Sequence, residues 1–395
     1  MSDYAFVHSP SHNYLHNMQY ARRLNSVSEY YFSSKLREVA ALRDAGKDVI
    51  NLGIGSPDLA PSSEVIDVLQ REASKPEAHS YQPYKGLPEL RQEIARFSKT
   101  YFDIDRDPAT DILPLMGSKE GIMHISMAML DPGDRVLIPE LSYPTYTSVS
   151  RLLGAEIDYY HLNEDQAFAP DWSYLNDYDF SRTKLIWINY PHMPTGQSAS
   201  RETLRRFVEL AKENDLLLVH DNPYSFLSDD PAVSIFSIPG AEDVCVELHS
   251  MSKSFNMAGW RVGWLCGSAA HIDAVLRIKS NMDSGMFRPI QVAAAHALRS
   301  QARWFEELRA TYRQRRAVAM LLADHLQMQC LPGQSGMFVW GKIDQDAASR
   351  VDELLQKHHV FVAPGHIFGQ KGRNYLRISL CSTEQRIAEA IERIK

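Results

Sequence analysis

The sequence has few cysteines, and they show no pairing pattern. Its 395 residues contain only four, far apart and without C-x-x-C spacing: Cys245, Cys266, Cys330 and Cys381. This spacing argues against a disulfide framework and against a cysteine-based zinc site. We therefore expect reduced cysteines in the core and predict no metal site.

The chain also lacks long apolar runs and any excess of positive charge. Residues 1–20 are polar, unlike a signal peptide, and no later segment has the apolar length of a membrane span. The formal net charge is −7 without blocks of like charge, whereas a nucleic-acid binder needs a basic stripe. We expect a cytoplasmic protein whose partners are small molecules, not nucleic acid or membrane.

Short apolar runs alternate with helical patterns through the middle of the chain. Pro88 predicts a helix over 88–101, and amphipathic patterns predict helices over 119–130 and 203–214. The apolar runs, nearly continuous as in strands covered on both faces, span 135–139, 185–189, 216–220, 244–248 and 262–266. This order predicts the α/β class, with a mostly parallel sheet wound with helices.

In the C-terminal part the predicted helices and strands no longer alternate as they do in the middle of the chain. The length of the chain favours two domains. A long helix is predicted over 302–327, and Ser382 has the spacing of a capping box that starts a terminal helix. The other predicted elements are strands 337–340 and 375–380 and a helix over 349–358. We predict an N-terminal arm with part of the small domain at 1–54, a large domain at 55–290 and a small α+β domain at 291–395.

A lysine between serines is the most informative local feature. Ser250, Lys253 and Arg261 lie within one stretch that we predict to be a loop after a strand. A neutral lysine amine can form a Schiff base with an aldehyde cofactor, and an arginine fork and serine hydroxyls can bind its phosphate. The alternative interpretation is a surface loop with an ordinary lysine.

Further polar residues follow other strands, where open α/β sheets bind ligands. Asp221 can hold a protonated pyridine nitrogen and Tyr224 can donate to a ring oxygen, although a helix cap and a packed tyrosine are the alternatives. Tyr143 can stack on a ring or merely pack. Arg377, in a strand-like run, needs a carboxylate from a substrate or from the protein.

One further segment precedes a predicted helix. Gly117, Ser118 and Lys119 would present backbone N–H groups to an anion such as phosphate. The pattern is weak by itself, because many helices begin in this way.

Together these segments resemble the class I/II aminotransferases of the fold-type I pyridoxal-phosphate enzymes, over nearly the whole chain. The resemblance implies a large domain that binds pyridoxal 5'-phosphate and a homodimer with shared active sites. It implies three catalytic residues, Lys253, Asp221 and Tyr224. It implies further cofactor contacts from Gly117, Ser118, Lys119, Tyr143, Ser250, Arg261, Tyr81 and Asn281. Of these, Tyr81 matches a tyrosine that reaches the phosphate of the neighbouring subunit, and Asn281 is expected, less firmly, to cross the same interface. Gly55 and Arg377 match the residues that receive the α-amino-acid end of the substrate.

One position departs from the family pattern. The family usually has Asn-Pro-Thr-Gly, with the asparagine donating to the cofactor's ring oxygen, whereas Met193 stands at that place here. Methionine donates no hydrogen bond, so we expect the imine proton to be held more tightly.

The resemblance implies ping-pong transfer of an amino group between an L-amino acid, aspartate- or diaminopimelate-like, and a 2-oxo acid such as 2-oxoglutarate. Candidate cations for a side-chain carboxylate are Arg288, Lys85, Arg22 and Arg23. A carbon–sulfur lyase of the same fold type, a cofactor-binding sensor without catalysis and a structural protein remain as alternatives.

Overall fold

The structure is a computed structural model that describes residues 19–299 and 302–395. The α-helices of these residues are α1 Tyr31–Asp44, α2 Ser63–Ala73, α3 Pro88–Phe102, α4 Ser118–Met129, α5 Pro144–Leu153, α6 Trp172–Asp177, α7 Arg201–Glu213, α8 Met251–Ser254, α9 Ala269–Lys279, α10 Arg288–Ala297, α11 Ala302–His325, α12 Ala347–His358 and α13 Glu384–Ile394. Short 3₁₀ turns occupy several connections between these elements.

The strands of the same residues are β1 Ile50–Leu52, β2 Ile112–Leu115, β3 Arg135–Pro139, β4 Glu156–Tyr160, β5 Leu162–Asn163, β6 Ala169–Pro170, β7 Thr183–Asn189, β8 Leu217–Asp221, β9 Cys245–Ser250, β10 Gly263–Gly267, β11 Gln329–Cys330, β12 Phe338–Lys342, β13 Val360–Pro364 and β14 Tyr375–Ser379.

A seven-stranded sheet forms the centre of the larger part of the chain. Its order is β2-β10-β9-β8-β7-β3-β4, and β10 alone runs antiparallel to its neighbours. Side chains alternate between its two faces: Leu218 belongs to one apolar cluster and Val219 to the other. Because both faces are covered, the strands read as continuous apolar runs, and the α/β prediction is confirmed.

The second sheet joins the two ends of the chain. Its order is β1-β13-β14-β12-β11, and Ile50–Leu52 pairs in parallel with residues 360–362 of β13. Residues 50–52, from the segment predicted to include part of the small domain, therefore share a sheet with C-terminal strands. The domain boundaries near residues 54 and 290 stay a prediction, and residues 1–18 of the predicted arm lie outside the described residues.

Two local predictions were wrong in detail. The terminal helix α13 is capped by Thr383, whose hydroxyl accepts from the Arg386 N–H at 3.3 Å, so the cap lies one residue after Ser382. Lys253 does not lie in a loop, because α8 is a single helical turn capped by the Ser250 hydroxyl. None of the helices within 19–299 and 302–395 has the length and apolar character of a membrane span.

Candidate active site

A cavity of about 400 Å³ lies at the carboxyl ends of the parallel strands, the usual ligand position in open α/β sheets. Strand β8 ends at Asp221, β9 at Ser250 and β7 at Asn189. The lining residues are Ser56, Ser118, Lys119, Tyr143, Tyr146, Asn189, Met193, Asp221, Pro223, Tyr224, Ser250, Ser252, Lys253, Ala258 and Arg261. Most of the residues predicted from sequence thus surround one space.

Asp221 closes one end of the cavity with a carboxylate that is only half satisfied. Its Oδ2 accepts a hydrogen bond of 2.6 Å from the Tyr146 hydroxyl. Its Oδ1 is buried and has no hydrogen-bond partner among the described residues. Burial raises the pKa of Asp221 to about 6, although the Tyr146 hydrogen bond opposes the shift. A cationic N–H donor at Oδ1 would relieve this cost.

Lys253 projects from α8 into the cavity. Its Nζ donates to the carbonyl oxygen of Gly55 at 2.5 Å. Burial lowers the pKa of the Lys253 amine from its ordinary value, because removal from water disfavours the charged form. A lysine with a lowered pKa more readily becomes the neutral amine that attacks a carbonyl carbon or accepts a proton.

The other end of the cavity is suited to an anion. The N-terminus of α4 opens there after Gly117, whose φ of +85° is a left-handed conformation. A Cβ at Gly117 would collide with the guanidinium of Arg261. Arg261 donates to Ser252 Oγ at 3.5 Å and to the Ala258 carbonyl oxygen at 3.0 Å. Within the described chain it pairs with no carboxylate, so a helix N-terminus, serines and a guanidinium are directed at one place.

Arg377 is a buried cation without a carboxylate partner among the residues that the structure describes. It is 4% exposed, and burial lowers the pKa of its guanidinium to about 10. Its Nη2 donates to the Gly53 carbonyl oxygen at 2.9 Å, and its Nε has no described partner. Phenylalanine rings surround the guanidinium carbon: Phe338 at 3.9 Å, Phe368 at 4.5 Å and Phe32 at 5.7 Å. A buried cation of this kind calls for an anionic ligand.

Comparison with known proteins accounts for this arrangement. The sequence profile of the family "Aminotransferase class I and II" matches residues 47–394. The LL-diaminopimelate aminotransferase of Moorella thermoacetica is 38% identical over 96% of this chain and 98% of its own length. The chain belongs to the class I and II aminotransferases. It is therefore an enzyme that exchanges an amino group between an amino acid and a 2-oxo acid, and its family depends on pyridoxal phosphate.

Other relatives of this aminotransferase agree with that assignment. The LL-diaminopimelate aminotransferase of Nitratidesulfovibrio vulgaris is 36% identical over 95% of this chain and 98% of its own. The substrate-bound structure of BacF from Bacillus subtilis superposes with a TM-score of 0.91 at 30% identity, covering 95% of this chain and 97% of that one. The predicted fold type and family are thereby confirmed.

Met193 does lie in the wall of the cavity, as its place in the motif predicts. It is 5% exposed, its backbone N–H donates to Asn189 Oδ1 at 2.9 Å, and its sulfur lies 3.5 Å from Arg377 Nη1. The neighbouring His192 is buried between Thr195 Oγ1 and the Leu141 carbonyl oxygen, so it does not replace the missing donor.

Two predicted cofactor contacts lie away from the cavity of the single chain. Tyr81 is 89% exposed. Asn281 donates to the Arg277 carbonyl oxygen at 2.8 Å on an exposed surface. The resemblance gives Tyr81, and less firmly Asn281, to a neighbouring subunit, so their position in one chain neither supports nor opposes their roles. The candidate cations Arg288, Lys85, Arg22 and Arg23 also lie outside the cavity lining.

Two residues that contact the predicted site residues were not predicted from the sequence. Tyr146 was not singled out, although it lies one helical turn after Tyr143 and therefore faces the same side. Tyr30 also lies at the site, with its ring centroid 4.9 Å from Lys119 Nζ.

Proposed function

We propose that this aminotransferase holds pyridoxal 5'-phosphate in the cavity on Lys253 and takes a dicarboxylic amino acid, LL-diaminopimelate first, as its donor. The pairing of unsatisfied groups at the two ends of the cavity carries the proposal. The unpaired Asp221 Oδ1 fits a protonated ring nitrogen. The serines, helix N-terminus and Arg261 at the other end fit a phosphate.

Pyridoxal phosphate, when bound, supplies an electrophilic carbonyl carbon and an electron-accepting ring. Lys253 Nζ is the amine that holds it and the base that takes the proton from the substrate Cα. Asp221 keeps a proton on the ring nitrogen, because a buried carboxylate stabilises a cation beside it. Tyr224 would donate a hydrogen bond from its hydroxyl to the ring oxygen, and Tyr143 would pack on the ring face.

Arg377 receives the α-carboxylate of the substrate. Its fork lies in a buried box of aromatic rings next to the cavity, where a charge-assisted bidentate hydrogen bond is stronger than in water. Holding the carboxylate fixes the rotation of the substrate, so that its Cα–H bond points toward Lys253. The close approach of Gly55 to Lys253 and to the Phe338 ring leaves no room there for a side chain.

A homodimer completes the site in this proposal. Three apolar side chains on the surface suit such an interface: Met116 is 39%, Met282 60% and Phe287 43% exposed. The segment that contains Asn281 and Gly285 packs closely against the segment that contains Tyr81 and Gln82. A Cβ atom on Gly285 would collide with the Gln82 carbonyl oxygen. Exposed apolar side chains of this kind favour contact with a second copy of the chain, whose Tyr81 would reach the phosphate.

The donor preference rests on the relatives, because the LL-diaminopimelate aminotransferases of Moorella thermoacetica and Nitratidesulfovibrio vulgaris match almost the full chain. A panel of LL-diaminopimelate, L-aspartate and L-alanine, each with 2-oxoglutarate as the acceptor, tests it. We expect glutamate to form fastest from LL-diaminopimelate. Faster turnover of L-alanine would contradict a dicarboxylic donor.

Chemical trapping tests the place of the cofactor. The protein is loaded with pyridoxal phosphate, reduced with borohydride, digested and mapped by mass spectrometry. We expect the label on Lys253, its loss in Lys253→Ala and its retention in the matched variant Lys119→Ala. A label on another lysine, or no label, would overturn the assignment.

A further inference from the structure

A buried glutamate accepts an unusual set of hydrogen bonds on the side of the central sheet away from Asp221. Glu247, in β9, is 1% exposed. Its carboxylate accepts from His220 Nδ1 at 2.8 Å, His249 Nε2 at 3.0 Å, Asn222 Nδ2 at 3.1 Å, the Ile235 N–H at 3.1 Å and the Ser234 hydroxyl. Burial alone would raise the pKa of Glu247, but the two imidazoles and these hydrogen bonds hold it well below its usual range. The carboxylate is therefore ionised.

His220 has an acceptor at each ring nitrogen. Nδ1 faces Glu247 Oε1 at 2.8 Å, and Nε2 faces the Tyr190 carbonyl oxygen at 3.1 Å. A carboxylate oxygen of an ionised glutamate and a backbone carbonyl oxygen can only accept. A neutral imidazole has one N–H, so its other nitrogen would be an acceptor facing an acceptor oxygen in a buried contact. An imidazolium has two N–H groups and donates a hydrogen bond in both contacts.

The two contacts of His220 join three strands at the edge that forms the cavity. Glu247 is the neighbour of His220 in the register of β9 and β8, and Tyr190 follows the last residue of β7. We propose that His220 is a positioning residue that carries protons on both ring nitrogens and clamps the ends of β7, β8 and β9, fixing Asp221 and the Met193 turn.

The imidazolium of His220 also places a positive charge next to Asp221, on the opposite face of the sheet. Successive side chains of a strand point to opposite faces, so His220 lies under the cavity floor while Asp221 lies in it. Both His220 and His249 favour the ionised form of Asp221. Burial, and with it the negative charge of Glu247, raises the pKa of the Cys245 and Cys266 thiols. The protonation state of His220 stands without the proposed function, whereas its effect on cofactor binding rests on it.

Nitrogen NMR of the full protein labelled with ¹⁵N-histidine tests the protonation state directly. The signal of His220 is assigned by its loss in His220→Gln. Because both ring nitrogens face acceptors, we expect both His220 nitrogens of the wild type to carry protons, and one of them to be bare in Glu247→Gln. A wild-type His220 with one bare nitrogen at pH 7 would overturn the proposal.

A pair of variants tests the positioning role. His220→Gln keeps a donor to Glu247 but removes the charge. The matched control His249→Gln removes the other imidazole from the same carboxylate and leaves both His220 contacts intact. Affinity for pyridoxal phosphate is measured as the pH is lowered, because Asp221 must be ionised to hold the ring nitrogen. The readout is the midpoint, which is the pH at which the affinity has fallen to half its value at neutral pH.

We expect this midpoint to rise by about one pH unit in His220→Gln and by less than half as much in His249→Gln. Equal shifts in both variants, or none in His220→Gln, would refute the positioning role. A wild-type protein that binds no pyridoxal phosphate would instead refute the proposed function, and the NMR result would still decide the state of His220.

Discussion

Replacing Met193 by asparagine restores the family's usual donor beside the cofactor's ring oxygen. Met193 lies in the cavity wall, 5% exposed, with its backbone held by Asn189 and its sulfur near Arg377. Its thioether donates no hydrogen bond, so in the proposed site the ring oxygen receives a hydrogen bond from Tyr224 and none from position 193. An added donor would stabilise negative charge on the ring oxygen and weaken its hold on the neighbouring imine proton.

The expected size follows from the strength of one hydrogen bond to a charged acceptor. Such a bond contributes about 1.5–3 kcal/mol, and one pKa unit corresponds to about 1.4 kcal/mol. We therefore expect Met193→Asn to lower, by about one to two units, the pH at which the visible absorbance of the cofactor-bound protein changes.

The assay is a spectrophotometric pH titration of three proteins. Wild type and Met193→Leu, which keeps the size without adding a donor, should titrate within about half a unit of each other, and Met193→Asn should titrate lower. Equal midpoints in wild type and Met193→Asn would refute the reasoning. A shift of the same size in Met193→Leu would assign the effect to packing or to the Arg377 contact.

Three further predictions concern the ends of the cavity. Arg377→Lys keeps the charge but loses the fork, so steady-state kinetics should show a KM for the amino donor raised by about tenfold or more, with unchanged cofactor affinity; an unchanged KM would contradict the carboxylate role. Asp221 has a pKa raised from 3.8 to about 6 by burial, so the cofactor-free protein should lose up to roughly 3 kcal/mol of stability as pH rises from about 4 to about 6. Urea unfolding should show this loss in wild type and not in Asp221→Asn; parallel pH profiles would contradict it. Tyr146→Phe leaves Asp221 Oδ2 unpaired at a cost of about 1–3 kcal/mol, so equilibrium binding should show affinity for pyridoxal phosphate lowered by about fivefold to a hundredfold; unchanged affinity would show that water replaces the hydroxyl.

Much of the fold was predictable because its sheet is covered on both faces. Continuous apolar runs marked β3, β7, β8, β9 and β10 to within about two residues, since every residue of a buried strand meets a core. The cap of α13 was placed one residue early, because Ser382 and Thr383 are both good caps and only the chain direction before the helix decides between them.

The candidate site was predictable where one residue type serves one chemical task. Lys253, Asp221 and Arg377 stand in segments whose order identifies the family, and the structure brings all three to one region. Tyr146 and the Glu247–His220 pair were missed, because their meaning depends on which strand ends and helices lie beside them. A tyrosine or histidine in an apolar run looks like a core residue until its partner across the sheet is known.

The visible spectrum of the cofactor-loaded protein during a half-reaction tests the central claim most directly. LL-diaminopimelate, L-aspartate, L-glutamate and L-alanine are added one at a time, followed by 2-oxoglutarate. We expect a donor to shift the absorbance band to shorter wavelength with release of its 2-oxo acid, and 2-oxoglutarate to restore the band. A band that no amino acid shifts reversibly, with ammonia and pyruvate released from a sulfur amino acid, would contradict transamination as the reaction of this chain.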